Sequence, residues 1–234
     1  MSNLKGIKVL VTGGSSGIGK ATAALLTSKG AIVAITGRDK KKLDIVAQQI
    51  KAIPIHMDVG KYKSIDAKVL DAFHSMGGID VLINNAGIGN FAQLKDVKLS
   101  HFEEVFATNV FGLALLTKEV IKFFKVQQKG TIINVGSTAA KKGFEGGTIY
   151  AASKFALRGM TQCWSQELRK ENIRVMLINP SEVPTAFHQK DRKERPLENK
   201  KLTPNEIAHS ILAMINMEKR GMVPELDVWA TNPF

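Results

Sequence analysis

Long apolar runs are missing. None approaches the roughly 20 residues that a membrane helix needs, so no membrane partner is expected. Cysteine is nearly missing as well. The single Cys163 cannot form an internal disulfide. Its apolar helical surroundings suggest a buried thiol rather than a nucleophile. The first six residues, MSNLKG, hold no signal-peptide core and run straight into a strand. With no disulfide framework either, a cytoplasmic location is the expectation. Acids are in deficit: 33 Lys and Arg against 21 Asp and Glu leave a net charge of +12. That excess suits anionic partners or a solvated basic surface. No RNP, zinc-finger or helix-turn-helix signature accompanies it, so nucleic acid is not expected. Repeats, low-complexity segments and interdomain linkers are absent too, and the 234 residues can bury a sizeable core as one domain, 1–234.

Tyrosine is scarce, with two in the chain. Tyr62 has Asp66 four positions on. Tyr150 has Lys154 four positions on, in a run of helix formers without Pro or Gly, so the two share a helix face. A phenol beside an ammonium is expected to titrate below its reference of about 10 and to exchange a proton near neutral pH. Carbonyl reduction and alcohol oxidation need such a group. Chance spacing is the competing reading of this pair alone.

The rest of the chain alternates strands and helices. Residues 7–11 read as a buried strand, followed by Thr12-Gly13-Gly14-Ser15-Ser16-Gly17-Ile18-Gly19 and a helix from Lys20 to Lys29. A glycine-rich turn in that place offers bare amides and a helix dipole to a pyrophosphate. Residues 31–36 form the second strand, which ends at Gly37-Arg38-Asp39. An acid at this end would suit a ribose 2′-hydroxyl. Arg38 instead suits a 2′-phosphate, and Asp39 reads as the cap of a helix from Lys40 to Ile50. The third strand, Ile53–His56, leads to Asp58 and Val59. Asp58 could meet an adenine amine or cap the next helix, 61–76.

Residues 79–83 lead into Asn84-Asn85-Ala86-Gly87, small enough to let a flat ring pass the backbone. One long helix is expected over 100–125, with Asn109 as an unfavourable interior residue that either satisfies itself locally or has a job. Residues 131–135 precede Gly136-Ser137-Thr138. A sixth strand, 173–178, precedes Asn179-Pro180-Ser181-Glu182-Val183-Pro184-Thr185. Residues 186–203 hold six Lys or Arg and three acids, and read as a substrate lid. A last helix runs from Pro204 to Met217, and a last strand from Val223 to Trp229. The pattern implies an α/β fold, a single-domain Rossmann-like doubly wound parallel sheet of about seven strands with helices on both faces. Ligands of such sheets bind at the carboxyl ends of the strands, where these motifs lie.

Taken together, these motifs resemble the short-chain dehydrogenase/reductase family over essentially the whole chain. Thr12-Gly13-x-x-x-Gly17-Ile18-Gly19 is similar to its cofactor loop, and Asn84-Asn85-Ala86-Gly87 to its fourth-strand motif. Asn109, Ser137, Tyr150 and Lys154 match its catalytic tetrad. The general likeness is to 3-oxoacyl-carrier-protein reductases and their unassigned relatives. The resemblance implies hydride transfer between NADP(H) and a carbonyl or secondary alcohol. Tyr150 would act as acid or base and Ser137 would bind the substrate oxygen. Lys154 would hold the nicotinamide ribose and lower the Tyr150 pKa, and Asn109 would anchor a water. The implied cofactor-binding set is Gly13, Ser15, Ser16, Gly17, Ile18, Gly19, Arg38, Asp58, Val59, Asn85, Ala86, Gly87, Tyr150, Lys154, Pro180, Val183 and Thr185, with no metal.

A homo-oligomer, dimer or tetramer through residues 100–125 and 150–170, is implied by resemblance alone. The sequence departs from the family at Ser181, commonly Gly, and at Gly136, often Ser. Pocket walls are expected from 88–94, 138–144 and the lid, with Phe91, Phe144 and Phe187 as apolar candidates. An acyl carrier protein is a candidate partner, drawn by the basic lid and by Lys141 and Lys142. A dinucleotide sensor without turnover is the reading from another class. The intact Ser137, Tyr150 and Lys154 argue against it.

Overall fold

The computed structural model describes residues 4–185, 187, 195–196 and 198–233. Seven strands form a single sheet in the order β3-β2-β1-β4-β5-β6-β7. They are β1 Lys8–Val11, β2 Ile32–Gly37, β3 Ile53–His56, β4 Val81–Asn84, β5 Gly130–Val135, β6 Ile173–Pro180 and β7 Glu225–Val228. Every pairing is parallel; Val11, for example, faces Ile35 on one side and Ile83 on the other. The order reverses beside β1, so the crevice between the carboxyl ends of β1 and β4 is the switch point at which such sheets take ligands.

Side chains alternate through the sheet. Val9, Val11 and Ile35 face α1 (Gly17–Ser28), α2 (Lys40–Ile50) and α7 (Pro204–Asn216), where Leu26, Leu43, Ile207 and Ile211 complete one core. Leu10, Leu82 and Ile132 face α3 (Ile65–Met76) and α5 (Leu113–Gln127), meeting Val69, Leu116, Val120 and Phe124. On that same side α6 (Thr148–Leu168) sets Leu157 against Leu113 and Leu177. Between β4, β5 and these helices runs a buried polar chain. Asn84 Nδ2 donates to Thr117 Oγ1 and Asn134 Oδ1, each at 2.9 Å, and Asn134 Nδ2 donates to Thr161 Oγ1 at 2.8 Å.

Three differences from the sequence reading matter. The first helix starts three residues early, at Gly17, so the glycine loop is itself the helix N-terminus. Residues 100–125 do not form one α-helix: α4 (Leu99–Phe106) passes through a π turn, Ala107–Gly112, before α5. Asn109 lies in that wide turn, where its backbone need not follow the α ladder. Cys163 is exposed rather than buried, because the inward face of α6 carries Leu157, Thr161, Ser165 and Leu168. Half of the expected lid, 186–203, lies outside the described residues, with Lys190, Arg192 and Lys193 among those not described. Among the described residues no helix is long and apolar enough to cross a membrane.

Candidate active site

A cavity of about 960 Å³ opens along the carboxyl ends of the strands. Gly13, Ser15, Ser16, Gly17, Ile18, Arg38, Asp58, Val59, Asn85, Ala86, Gly87, Ser137, Tyr150, Lys154, Pro180, Val183 and Thr185 all line it. Gly19 and Asn109 stand behind its wall.

The glycine loop is built by close approach. A Cβ on Gly19 would sit 2.3 Å from the Gly13 carbonyl oxygen and 2.4 Å from Asn85 Nδ2. That amide straps the loop to β4, donating to the Thr12 and Gly13 carbonyls at 2.9 and 3.0 Å. Thr12 Oγ1 in turn accepts from the amides of Asn85 and Ala86. Asn85 therefore shapes the cradle with its side chain and leaves only its surface to the cavity. No side chain caps α1, and its first turn carries no acid. Such a helix end favours a bound anion. Thr185 closes over it, its Cγ2 lying 3.1 Å from where a Gly17 Cβ would be.

The far rim is basic. Arg38 and Lys42 line the cavity beside Ser15, whose hydroxyl lies 3.1 Å from where a Gly37 Cβ would project. Asp39 is the cap expected of it, its Oδ1 accepting from the Lys42 amide at 3.0 Å. Lys42 escaped the sequence reading, although the cap itself places it one turn beyond Arg38. Asp58 Oδ1 accepts from the Gly60 amide at 3.0 Å, so one carboxylate oxygen is used in the turn while the residue still faces the cavity. The uncapped helix end, the bare glycine floor and the basic rim together fit a phosphorylated dinucleotide.

At the other end stand Ser137, Tyr150 and Lys154. Ser137 follows β5 in extended conformation, and its Oγ accepts from the Ala139 amide at 3.1 Å. Tyr150 and Lys154 lie on one face of α6, with Nζ 5.7 Å from the phenol ring centroid. The ammonium is buried and donates to the Val135 carbonyl at 2.9 Å. Burial pulls Lys154 down to about 8. Burial also pushes Tyr150 up to about 12, against the opposing hydrogen bond from Ser137. The expectation that Lys154 would lower the phenol is thus overturned for this state of the site. Phe91 and Phe187 pack their rings 5.5 and 5.3 Å from Tyr150 and remove water from it, while Lys154 spends a hydrogen bond on the backbone. Desolvation then exceeds the lowering by the Ser137 hydrogen bond.

Asn109 is brought close to this group but its carboxamide is occupied. Oδ1 accepts from the Ile88 amide, and Nδ2 donates to the Ile88 carbonyl and to Ser153 Oγ, at 2.9, 2.9 and 3.0 Å. It pins the segment that carries Gly87, and only the second lone pair of Oδ1 remains for a water. Lys141 is also occupied: it pairs with Asp227 at 2.7 Å and Glu225 at 3.1 Å on β7. Ser181 turns its Oγ toward the Ala230 amide at 3.4 Å, away from the role a glycine would play. Trp229 joins the cavity from the segment after β7, a placement no local signal announces.

Comparison with known proteins gives a consistent picture. The family model described as short chain dehydrogenase matches residues 8–196. An uncharacterized oxidoreductase of Staphylococcus aureus is 33% identical over 224 residues, covering 94% of this chain and 95% of that protein. Among solved structures, a 3-ketoacyl-(acyl-carrier-protein) reductase from Brucella melitensis complexed with NADH superposes with a TM-score of 0.89 at 28% identity, covering 99% of this chain and all of that one. An alcohol dehydrogenase from the archaeon Thermococcus sibiricus complexed with 5-hydroxy-NADP gives a TM-score of 0.89 at 25% identity, over 96% of this chain and 97% of that one.

Proposed function

The chain belongs to the short-chain dehydrogenase family and is an oxidoreductase of it, and from that premise we propose that it reduces a carbonyl compound to a secondary alcohol, or the reverse, with NADP(H) preferred over NAD(H). The observation that carries the reading is the Tyr150 phenol and the Ser137 hydroxyl lining the same cavity as the glycine loop, with Lys154 beside the phenol. The glycine loop and the N-terminus of α1 would hold the pyrophosphate, Arg38 and Lys42 the 2′-phosphate, and Lys154 the nicotinamide ribose. When bound, the reduced cofactor supplies a hydride to the carbonyl carbon.

The chain's own residues do the rest. Ser137 donates a hydrogen bond to the carbonyl oxygen and stabilises the charge that grows there. Tyr150 gives its proton to the same oxygen. A phenol held up to about 12 keeps that proton at neutral pH, which suits the reductive direction. Lys154 places a positive charge near the phenolate that forms. A sensor without turnover fits poorly: burying Lys154 costs stability that mere binding would not require.

Tyr150→Phe tests the assignment. It should lower kcat by at least about 100-fold while NADPH still binds, because general acid catalysis contributes about 10²–10⁴. Retention of most of kcat would refute it. An acyl-carrier substrate is a second reading, supported by the likeness to the Brucella protein. The pairing of Lys141 counts against it, leaving Lys142 as the cation after Ser137 with no ion pair among the described residues. Self-association through α5 and α6 is also proposed. Leu115 and Phe155 are exposed there, and Phe111 is exposed on the π turn just before α5. Light scattering of a stable monomer at working concentration would remove that proposal.

A further inference from the structure

Three loops each send a phenylalanine to the reaction centre: Phe91 after β4, Phe144 after β5 and Phe187 after β6. Phe91 stands 5.5 Å from the Tyr150 ring at 56°, Phe187 stands 5.3 Å from it at 62°, and Phe144 stands 6.0 Å from Phe91 at 39°. These are the tilted and edge-on arrangements that aromatic rings prefer. The loops are shaped to admit them. A Cβ on Gly89 would lie 2.7 Å from Phe91 Cε2 and 2.8 Å from Phe187 Cε1. A Cβ on Gly147 would lie 2.6 Å from Phe144 Cζ. Phe91 and Phe187 therefore both crowd the space over Gly89. Phe91 and Phe144 nevertheless stay 39% and 50% exposed, which is the apolar area a ligand would cover.

Charge points the same way. Glu182 lines the cavity but is paired with Lys201 at 2.5 Å and with Arg195 at 3.4 Å. Lys141 is paired with Asp227 and Glu225. Among the described residues around the three rings, the side chains without an ion pair that could meet a substrate include the hydroxyls of Ser137, Thr138 and Tyr150, and the ammonium of Lys142.

We propose that Phe91, Phe144 and Phe187 form a specificity clamp for an uncharged, ring-bearing ketone, whose carbonyl meets Ser137 and Tyr150 while its ring packs among the three side chains. The clamp rests on the carbonyl-reductase reading above and names its substrate class. It disfavours 2-oxo acids, because a carboxylate packed among the rings would be desolvated there. It favours a ring over a linear acyl chain, because a ring offers the three side chains a face and an edge to pack against.

The experiment follows NADPH loss with the full chain on four substrates: an aryl methyl ketone, butanone, a short 2-oxo acid and a linear 3-oxoacyl thioester. The aryl ketone should exceed each of the others in kcat/KM by at least about tenfold, the scale on which apolar pockets discriminate. Phe91→Ala and Phe187→Ala should each shrink that advantage to within about threefold, mainly through KM. In parallel, the aryl ketone added without cofactor should quench the fluorescence of Trp229, which lines the same cavity, and the quench should weaken in both variants. A preference for the oxo acid or the thioester overturns the clamp, as does an aryl preference that survives both substitutions. If the wild-type protein reduces none of the four, the carbonyl-reductase reading fails with it. Turnover of the wrong class leaves that reading standing and removes the clamp alone.

Discussion

Replacing Lys154 by Met should change how stability depends on pH, in a direction the burial of its ammonium fixes. Lys154 is 5% exposed, and burial lowers it from 10.5 to about 8. That difference corresponds to about 3 kcal/mol, at 1.36 kcal/mol for each tenfold change in proton affinity. The unfolded chain keeps its proton up to about 10.5, whereas the folded chain releases it around 8. Between those values the unfolded state binds more protons, so stability rises with pH. Below about 8 the whole penalty is present. Tyr150 has the opposite sign. Its folded value of about 12 exceeds 10, so its contribution is lost as pH climbs above 10. The window from pH 7 to 10 therefore isolates the lysine. Urea unfolding of the cofactor-free wild type and of Lys154→Met at unit intervals across that window should show the wild type gaining about 2–3 kcal/mol on the variant. Met also leaves the Val135 carbonyl without its donor, which costs about 1–3 kcal/mol at every pH. The slope rather than the offset carries the test. A difference between the two proteins that stays flat from pH 7 to 10 would refute the reasoning.

Arg38→Ala should raise the KM for NADPH by about 10–100-fold, the worth of a charge-assisted hydrogen bond, and leave NADH less affected. Initial rates with both cofactors decide it, and an unchanged ratio would mean that the basic rim does not read the 2′-phosphate. Gly136→Ser, which restores the residue common in the family, should destabilise this chain, because its Cβ would lie 2.3 Å from Asn179 Oδ1. Asn179 is held in place by donating to Glu225 and Asp227 at 2.7 and 3.0 Å. An overpacking penalty of about 1–3 kcal/mol is expected. Calorimetry should then record a Tm several degrees lower, at about 2–4 °C per kcal/mol for a chain of this size.

What the sequence made legible was what short-range chemistry decides. Asp39 before a lysine-rich helix announced a cap, and the 150–154 spacing announced a shared helix face. Ile53–His56 was expected as a strand and is one, and its Pro54 sits where a sheet tolerates it, on the edge strand β3. What stayed hidden depends on chain segments far apart. The phenol titrates upward because Phe91 and Phe187 arrive from other loops, and spacing within α6 contains no trace of them. Lys141 looked free because its partners Glu225 and Asp227 are carried on the last strand. The π turn left no compositional mark beyond an Asn in a poor place. Cys163 has apolar neighbours in sequence, yet the face of α6 that turns inward carries Leu157, Thr161, Ser165 and Leu168.

The π turn at Ala107–Gly112 has a consequence for how this protein can vary. A π turn accommodates one residue more than the α-helix on either side of it, and the widened turn absorbs that residue locally. Loss of a single codon within the six would let α4 run into α5 as one regular helix, with Val105, Leu116 and Val120 still directed to their cores. Asn109 would lose the geometry that lets it grip Ile88 and Ser153. The offspring would keep the fold and the nucleotide cradle and give up the wall beside Lys154. A three-base deletion there would separate the inherited scaffold from the chemistry performed on it.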